Sequence, residues 1–473
     1  MRTLKIVVTL LAIAGIAACG GPQTPAPAGP PTGEPGTELK EAPKRQISKA
    51  ELQDFAAAAR KYNQYAAAAK KSGGWSKGDC QSAAEAFKDV AGSHPKISYD
   101  CLFNAGRSYE HCGMAAEAMS AYEAANNKAR SVVKREFAPA LVNMGRMHWN
   151  RGDHDRGEDH FRRAVAADPK NADARNALAV ALYEKGKRSG SSKYFEDAIG
   201  ELRRALAVDV SNMGAYTTLA LIYYEIARDD RSKLDLAALV CKQAKDISKT
   251  HAPIYNISGL IWLKKKNVTR ALEDFRKAVE YDDGLLEAHM NIGAITLSYR
   301  DYASAETSFR KVLARRPNDI DALIGVGVAL RGKRQFDQAE ATFNKVGQID
   351  PRNPAVPFNL GLIYQDYKDY QEPTLLRAKA YYQDFLNRPG APGNKINEAK
   401  RRIKNIDEII AANKEAKLLQ AEAERNQKLQ EEQERKAKEE EARQKKLDEE
   451  KKKNAPKGAA PKADPKAAPA PKK

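Results

Sequence analysis

The chain lacks the groupings on which catalysis is usually built. No glycine-rich phosphate loop is present, since Gly186-Lys187 has no glycine at the needed distance before it. No Gly-x-Ser-x-Gly stretch marks a nucleophile elbow. Metal-type residues gather at His148, Asp153, His154, Asp155, Asp159 and His160, but without the i,i+4 histidine pair of a zinc-binding helix. Acidic residues are plentiful and read as helix caps and solvated helix faces. Outside a region of internal repeats, nothing is long and apolar enough to fold as a catalytic domain. These absences argue against an enzyme and give no reason to expect a cofactor or a metal. Five cysteines in 473 residues are too few for a disulfide scaffold. Long hydrophobic runs are missing too: Ile6 to Gly15 is apolar but too short to span a bilayer stably.

What is present is a repeat of roughly 34 residues, running from about Glu51 to Pro389. Gly259, Trp262, Ala271, Phe275 and Ala278 set the spacing. It recurs as Gly293, Ala305, Phe309, Val312 and Pro317, and again as Gly327, Leu330, Ala339, Phe343, Val346 and Pro351. The small residue lets two helices approach closely, the large one a turn beyond the second small residue fills the gap, and proline stops the second helix. Hairpins are expected to start near Tyr99, Ala138, Ala172, Met213, Ala252, Leu286, Ile320 and Pro354, with a degenerate one before them. Short insertions fall at the inter-helix turn at Lys187 to Lys193, Asp229 to Lys233 and Asp369 to Pro373. The pattern resembles the tetratricopeptide repeat. It implies an all-α fold: a superhelical solenoid of about nine helix hairpins over residues 47–392, followed by a long charged helix.

The ends differ in composition. Residues 1–18 read as a signal peptide, with Arg2 and Lys5 before the apolar run. Ile16-Ala17-Ala18-Cys19-Gly20 resembles a bacterial lipobox, with Ile16 in place of the commoner leucine. The resemblance implies cleavage before Cys19, lipid attachment there, and membrane anchoring by two or three acyl chains. Gly20 rather than aspartate after the cysteine favours the outer membrane, on its periplasmic side. Residues 19–46 are rich in glycine and proline, a disordered tether by composition. Residues 393–453 form a charged helix. Its Ile403, Ile406 and Ile410 are expected to cover the end of the solenoid, and Glu424–Lys428, Glu432–Lys436, Glu434–Lys438 and Glu441–Lys445 to support it in water. Residues 454–473, of alanine, proline and lysine, read as a disordered basic tail. That tail could touch peptidoglycan, anionic lipid or an acidic partner, while an exported chain would not meet nucleic acid.

Cys80 opens the second helix of the first hairpin and Cys112 closes the first helix of the next, ends that an antiparallel stack places on one side. Cys101 lies about 16 Å from Cys112 along one helix. A Cys80–Cys112 disulfide is therefore expected, with Cys241 a buried free thiol. Partner binding is expected on the first helix of each hairpin, where Asn104, Asn143, Asn176, Asn256, Asn291 and Asn359 form a row. A row of amides can hold an extended backbone without reading its sequence, and it resembles the asparagine ladder of some tetratricopeptide superhelices. The alternative is that asparagine sits there for packing or solvation. Tyr224, Leu221, Leu260, Leu263, Leu297, Val328 and Leu362 make the same groove partly apolar. The lipobox, repeat array and TolA-like charged helix together resemble lipoproteins of the myxobacterial gliding-motility apparatus. That resemblance implies a non-catalytic scaffold with periplasmic and outer-membrane protein partners. A pilotin for secretin assembly and an adaptor for peptidoglycan hydrolases are the other readings.

Overall fold

The structure, a computed structural model, describes residues 46–227 and 230–454. The signal peptide, the tether with Cys19, and the basic tail lie outside the described residues. Every described element is helical, and the elements divide between Lys333 and Arg334 into two compact units.

The first unit opens with α1 (Lys49–Ser72) and α2 (Lys77–Ser93), then a 3-10 turn at Pro95–Ile97. Hairpins follow: α3 (Ser98–Glu110) with α4 (Ala115–Val132), α5 (Ala138–Asn150) with α6 (His154–Ala167), and α7 (Ala172–Ser189) with α8 (Ser192–Val208). Next come α9 (Met213–Ile226) with α10 (Arg231–Ile247), α11 (Ala252–Lys264) with α12 (Val268–Tyr281), and α13 (Leu286–Ser298) with α14 (Tyr302–Arg315). α15 (Ile320–Gly332) ends the unit. The second unit holds α16 (Phe336–Ile349), α17 (Ala355–Asp366), α18 (Glu372–Asn387) and α19 (Gly393–Lys453). The odd-numbered helices from α3 to α17 start within one residue of the positions read from the repeat.

Close approach inside several hairpins needs a missing side chain. A Cβ on Gly145 would stand 2.6 Å from the Phe161 ring, on Gly259 2.6 Å from Phe275, and on Gly293 2.8 Å from Phe309. The aromatic ring occupies the space that the glycine vacates. Phe309 also lies against Gly325 of α15, where a Cβ would meet the ring at 2.6 Å. One ring thus seals its own hairpin and the joint to the next, which is how a solenoid makes one core from short pieces.

Four of the turns within hairpins share a single chemistry. Gly113, Gly152, Lys266 and Arg300 all have φ between 56° and 84°, a left-handed turn at the end of the first helix. The next residue donates its N–H back five positions, from Asp153 to His148 at 3.0 Å, Asn267 to Trp262 at 2.9 Å, and Asp301 to Thr296 at 2.9 Å. This closes helix ends whose carbonyls would otherwise lack partners. The residue after the turn then caps the second helix: Asn267 Oδ1 accepts from the Arg270 N–H at 3.1 Å and Asp301 Oδ1 from Ser304 at 3.2 Å. Lysine and arginine fit the left-handed position poorly because of their Cβ. Arg300→Gly is therefore expected to stabilise the chain by about 0.5–1 kcal/mol, read as a raised urea midpoint.

One insertion takes a form that its sequence did not suggest. Lys187, Arg188 and Ser189 extend α7 instead of forming a loop, and Gly190, at φ 68°, ends the helix. In the second unit, α19 packs on α18 through buried Ala399 and Ile406, with Ile403 and Ile410 half-buried. Arg402 donates to Asp366 at 3.0 Å and to Gln365 at 3.0 Å, and Gln365 also accepts from Tyr382 at 3.0 Å. From Ala411 to Lys453 the helix is exposed throughout. It carries its own i,i+4 pairs, such as Lys436–Glu432 and Lys445–Glu441, both at 2.8 Å, which favour a helix surrounded by water.

Candidate partner-binding surface

In the first unit the odd-numbered helices lie side by side: α5 touches α7, α7 touches α9, α9 touches α11, and α13 touches α15. Polar side chains bond across these seams. Asn212, which caps α9, donates to Asp173 at 3.1 Å, and Thr218 donates to Asn176 Oδ1 at 3.0 Å. Thr217 meets His251 at 3.0 Å, and Asn291 donates Nδ2 to Asn256 Oδ1 at 3.0 Å. The last bond leaves Asn256 Nδ2 and Asn291 Oδ1 without partners among the described residues. A free donor and a free acceptor thus stand next to each other, the pair that an extended peptide backbone needs.

The six asparagines divide on this evidence. Asn176, Asn256 and Asn291 are half-buried members of the lateral ladder. Asn104 is half-buried and donates to the Asp100 carbonyl of its own helix at 2.8 Å. Asn143 and Asn359 are buried, which corrects their assignment to an open groove. Asn143 accepts from Arg146, and Asn359 in the second unit donates to the Ala355 carbonyl at 2.8 Å. Position relative to the close-approach glycine does not decide this, since Asn104 and Asn291 also sit two residues before one and are only half-buried. Leu260 is likewise core, as are Leu221 and Leu362. Tyr224, Leu263, Leu297 and Val328 are half-buried, an apolar strip across α9, α11, α13 and α15. Lys264 rests its ammonium 4.9 Å from the Tyr224 ring centroid and donates to the Tyr224 carbonyl at 3.1 Å.

Two open clefts lie elsewhere, on surfaces that even-numbered helices help to form. One of about 550 Å³ is lined by Leu239 and Lys242 of α10 and Ile261 and Trp262 of α11. The other, of about 400 Å³, has Arg162 of α6, Leu178 of α7, and Glu201 and Arg204 of α8. Sequence reasoning placed no cleft there, because the spacing says which residues recur but not how far apart neighbouring helices stand.

Carboxylates bridging two cations join consecutive hairpins. Glu158 takes Arg162 at 2.6 Å and Lys185 at 2.9 Å, and Glu306 takes Arg310 at 2.7 Å and Lys333 at 2.8 Å. Both sets have the same spacing, four residues to the arginine and 27 to the lysine. Burial alone would raise each carboxyl, but hydrogen bonds from the lysine and the arginine outweigh it and hold the pKa low. Glu136 does the same between α4 and α6, bonded to Arg163 at 2.6 Å and to Arg130. The Arg163 hydrogen bond leads in lowering its pKa from 4.5 to about 2. Its stabilisation is therefore complete above pH 4.5 and lost as pH falls through about 2. Glu136→Gln is expected to cost about 1–2 kcal/mol at pH 7, a difference that shrinks toward pH 2 in paired denaturation curves.

Cys80 and Cys112 are joined in a disulfide, Cα atoms 6.3 Å apart, tying the start of α2 to the residues after α3. Beside it the Trp75 ring stacks on His111 at 4.8 Å, and the Tyr62 hydroxyl meets His111 Nε2 at 2.6 Å. Burial holds the His111 pKa below its usual value, which favours the neutral ring in this stack. Cys101 and Cys241 are free and buried, and burial pushes both thiols up to about 12, which keeps them unreactive. In the histidine group, His148 stacks on His160 at 5.2 Å, while His154 turns to Trp149 at 4.4 Å. Among the described residues, no three His, Cys, Asp or Glu side chains are placed to hold a metal ion. No described helix is long and apolar enough to cross a membrane.

Comparison with known proteins identifies the repeats. Tetratricopeptide repeat models match residues 142–188, 171–209 and 296–356. No curated protein matches the chain. Among solved structures, a tetratricopeptide protein of Thermus thermophilus is 20% identical, covering 41% of this chain and 99% of its own, at a TM-score of 0.37. Pseudomonas aeruginosa PilF is 19% identical, covering 46% and 94%, at 0.39. The human IFIT1 dimer with m7Gppp-AAAA is 17% identical, covering 70% and 78%, at 0.47. The chain carries tetratricopeptide repeats in those segments, and repeats of this kind generally mediate protein–protein interactions.

Proposed function

We propose that this chain is a lipid-anchored scaffold on the periplasmic side of an outer membrane. Its odd-helix face takes up extended segments of partner proteins and so gathers the components of a trans-envelope complex. The observation that carries the binding role is the unpaired donor and acceptor of Asn256 and Asn291, beside the apolar strip of Tyr224, Leu263 and Leu297. Main-chain bonds to the amides would give affinity, and the strip would receive side chains. The anchor rests on Cys19 in its lipobox and the apolar run before it. The layout of lipobox, repeats and charged helix favours a gliding-motility complex as the assembly.

Metabolic labelling with a palmitate analogue tests the anchor. Label is expected on the wild-type chain in the outer-membrane fraction, and on none of the Cys19→Ser variant. Unlabelled, freely soluble wild-type protein would refute it. Crosslinking in cells followed by mass spectrometry tests the assembly. Motility components are expected; recovery of a secretin or a wall hydrolase alone would overturn the motility assignment and leave the repeat fold untouched.

A further inference from the structure

Two polar groups on α7 and α9 remain without a structural role. Tyr183 is 1% exposed, and its hydroxyl has no hydrogen-bond partner among the described residues. Glu225, half-buried at the end of α9, makes no ion pair or hydrogen bond among the described residues. Among the described residues, the charges that act on it are Lys187, Lys264 and Glu184. Both lysines are held elsewhere. Lys187 pairs with Glu184 at 3.2 Å and sits 5.0 Å from the Tyr183 ring centroid, and Lys264 sits on Tyr224. Burial without a partner keeps the Glu225 pKa above the usual carboxylate value. Tyr183 and Glu225 sit on helices that pack against each other, and the Glu225 charge adds to burial in raising the Tyr183 pKa.

A carboxylate drawn half out of water, with no direct ion pair or hydrogen bond among the described residues, is unfavourable in the free protein. It becomes favourable when a bound cation replaces the lost water. The surroundings select the rest of the ligand: Tyr224 beside Glu225 and Leu263 on α11 are half-buried and apolar, suited to an aliphatic stem.

We propose that this part of the odd-helix face recognises an arginine or lysine side chain on a partner's extended segment. Glu225 is its counter-ion, the Tyr183 hydroxyl a second polar contact, and Tyr224 with Leu263 pack its stem. The assignment rests on the reading of this face as a peptide groove. A guanidinium is the better fit, because its planar fork can reach two acceptors at once.

Calorimetric titration of the full chain with two acetylated pentapeptide amides tests it, Ala-Ala-Arg-Ala-Ala and the same peptide with norleucine at the centre. The arginine peptide is expected to bind about tenfold more tightly. Glu225→Gln should abolish that preference, and Tyr183→Phe should reduce it about threefold. Thermal melts accompany the titrations, and Glu225→Gln is expected to match or exceed the wild-type Tm, since it removes an unpaired charge. Equal binding of the two peptides, or a preference that survives Glu225→Gln, would overturn the assignment while leaving the groove intact. Binding of neither peptide would overturn both.

Discussion

Phe275→Ala is expected to lower the stability of the repeat array by about 3–5 kcal/mol. Phe275 is fully buried, and its ring fills the place where Gly259 has no side chain. Truncation leaves a void between α11 and α12 that two rigid helices cannot close. In a solenoid each repeat is stabilised by itself and its neighbours, so the damage should be local. Hydrogen exchange is expected to quicken most in α11 and α12 and least in α3 and α4. The complementary change, Gly259→Ala, puts a Cβ 2.6 Å from the same ring and should cost about 1–3 kcal/mol. Combined with Phe275→Leu, which draws back the clashing atoms, the cost should fall below the sum of the single changes. Strict additivity in urea denaturation would show that ring and glycine do not share one space.

The second large effect is expected at the disulfide. Cys80 and Cys112 are 32 residues apart in sequence, and closing a loop of that size removes about 3–4 kcal/mol of unfolded-state entropy. Cys112→Ser should lose most of this, and the loss should concentrate at the N-terminal end of the array. The Tyr62, Trp75 and His111 cluster packs beside the bridge, so Trp75 fluorescence should report the change. Reductant should shift the wild-type urea midpoint down to that of Cys112→Ser and leave the variant unmoved. A wild-type midpoint insensitive to reductant would contradict this account.

The fold was legible because its signal repeats. Gly259 and Phe275 mean little alone, but the same pair at Gly293 and Phe309 fixes helix positions and hairpin register. Features carried by a single side chain were harder to see. The left-handed turn at Arg300 hides because arginine stands where glycine usually signals it, and only the matching turn at Gly152 reveals the kinship. Asn143 and Asn291 look alike in sequence, yet one is buried and the other half-buried. Their difference depends on how closely neighbouring helices pack, which spacing does not encode. The unpaired state of Glu225 depends on where Lys187 and Lys264 find other partners. The bridges at Glu158 and Glu306 were within reach, since their common spacing to Lys185 and Lys333 is written in the sequence.

The central claim is that partners bind the face built by the odd-numbered helices. A photocrosslinking residue placed in the full chain at Leu263, and separately at Leu239 beside the even-helix cleft, tests it most directly in living cells. The account expects a defined crosslinked partner from Leu263, lost when Asn256 and Asn291 are changed to alanine, and none from Leu239. A partner captured from Leu239 and not from Leu263 would contradict it and move the binding surface to the opposite side of the repeats.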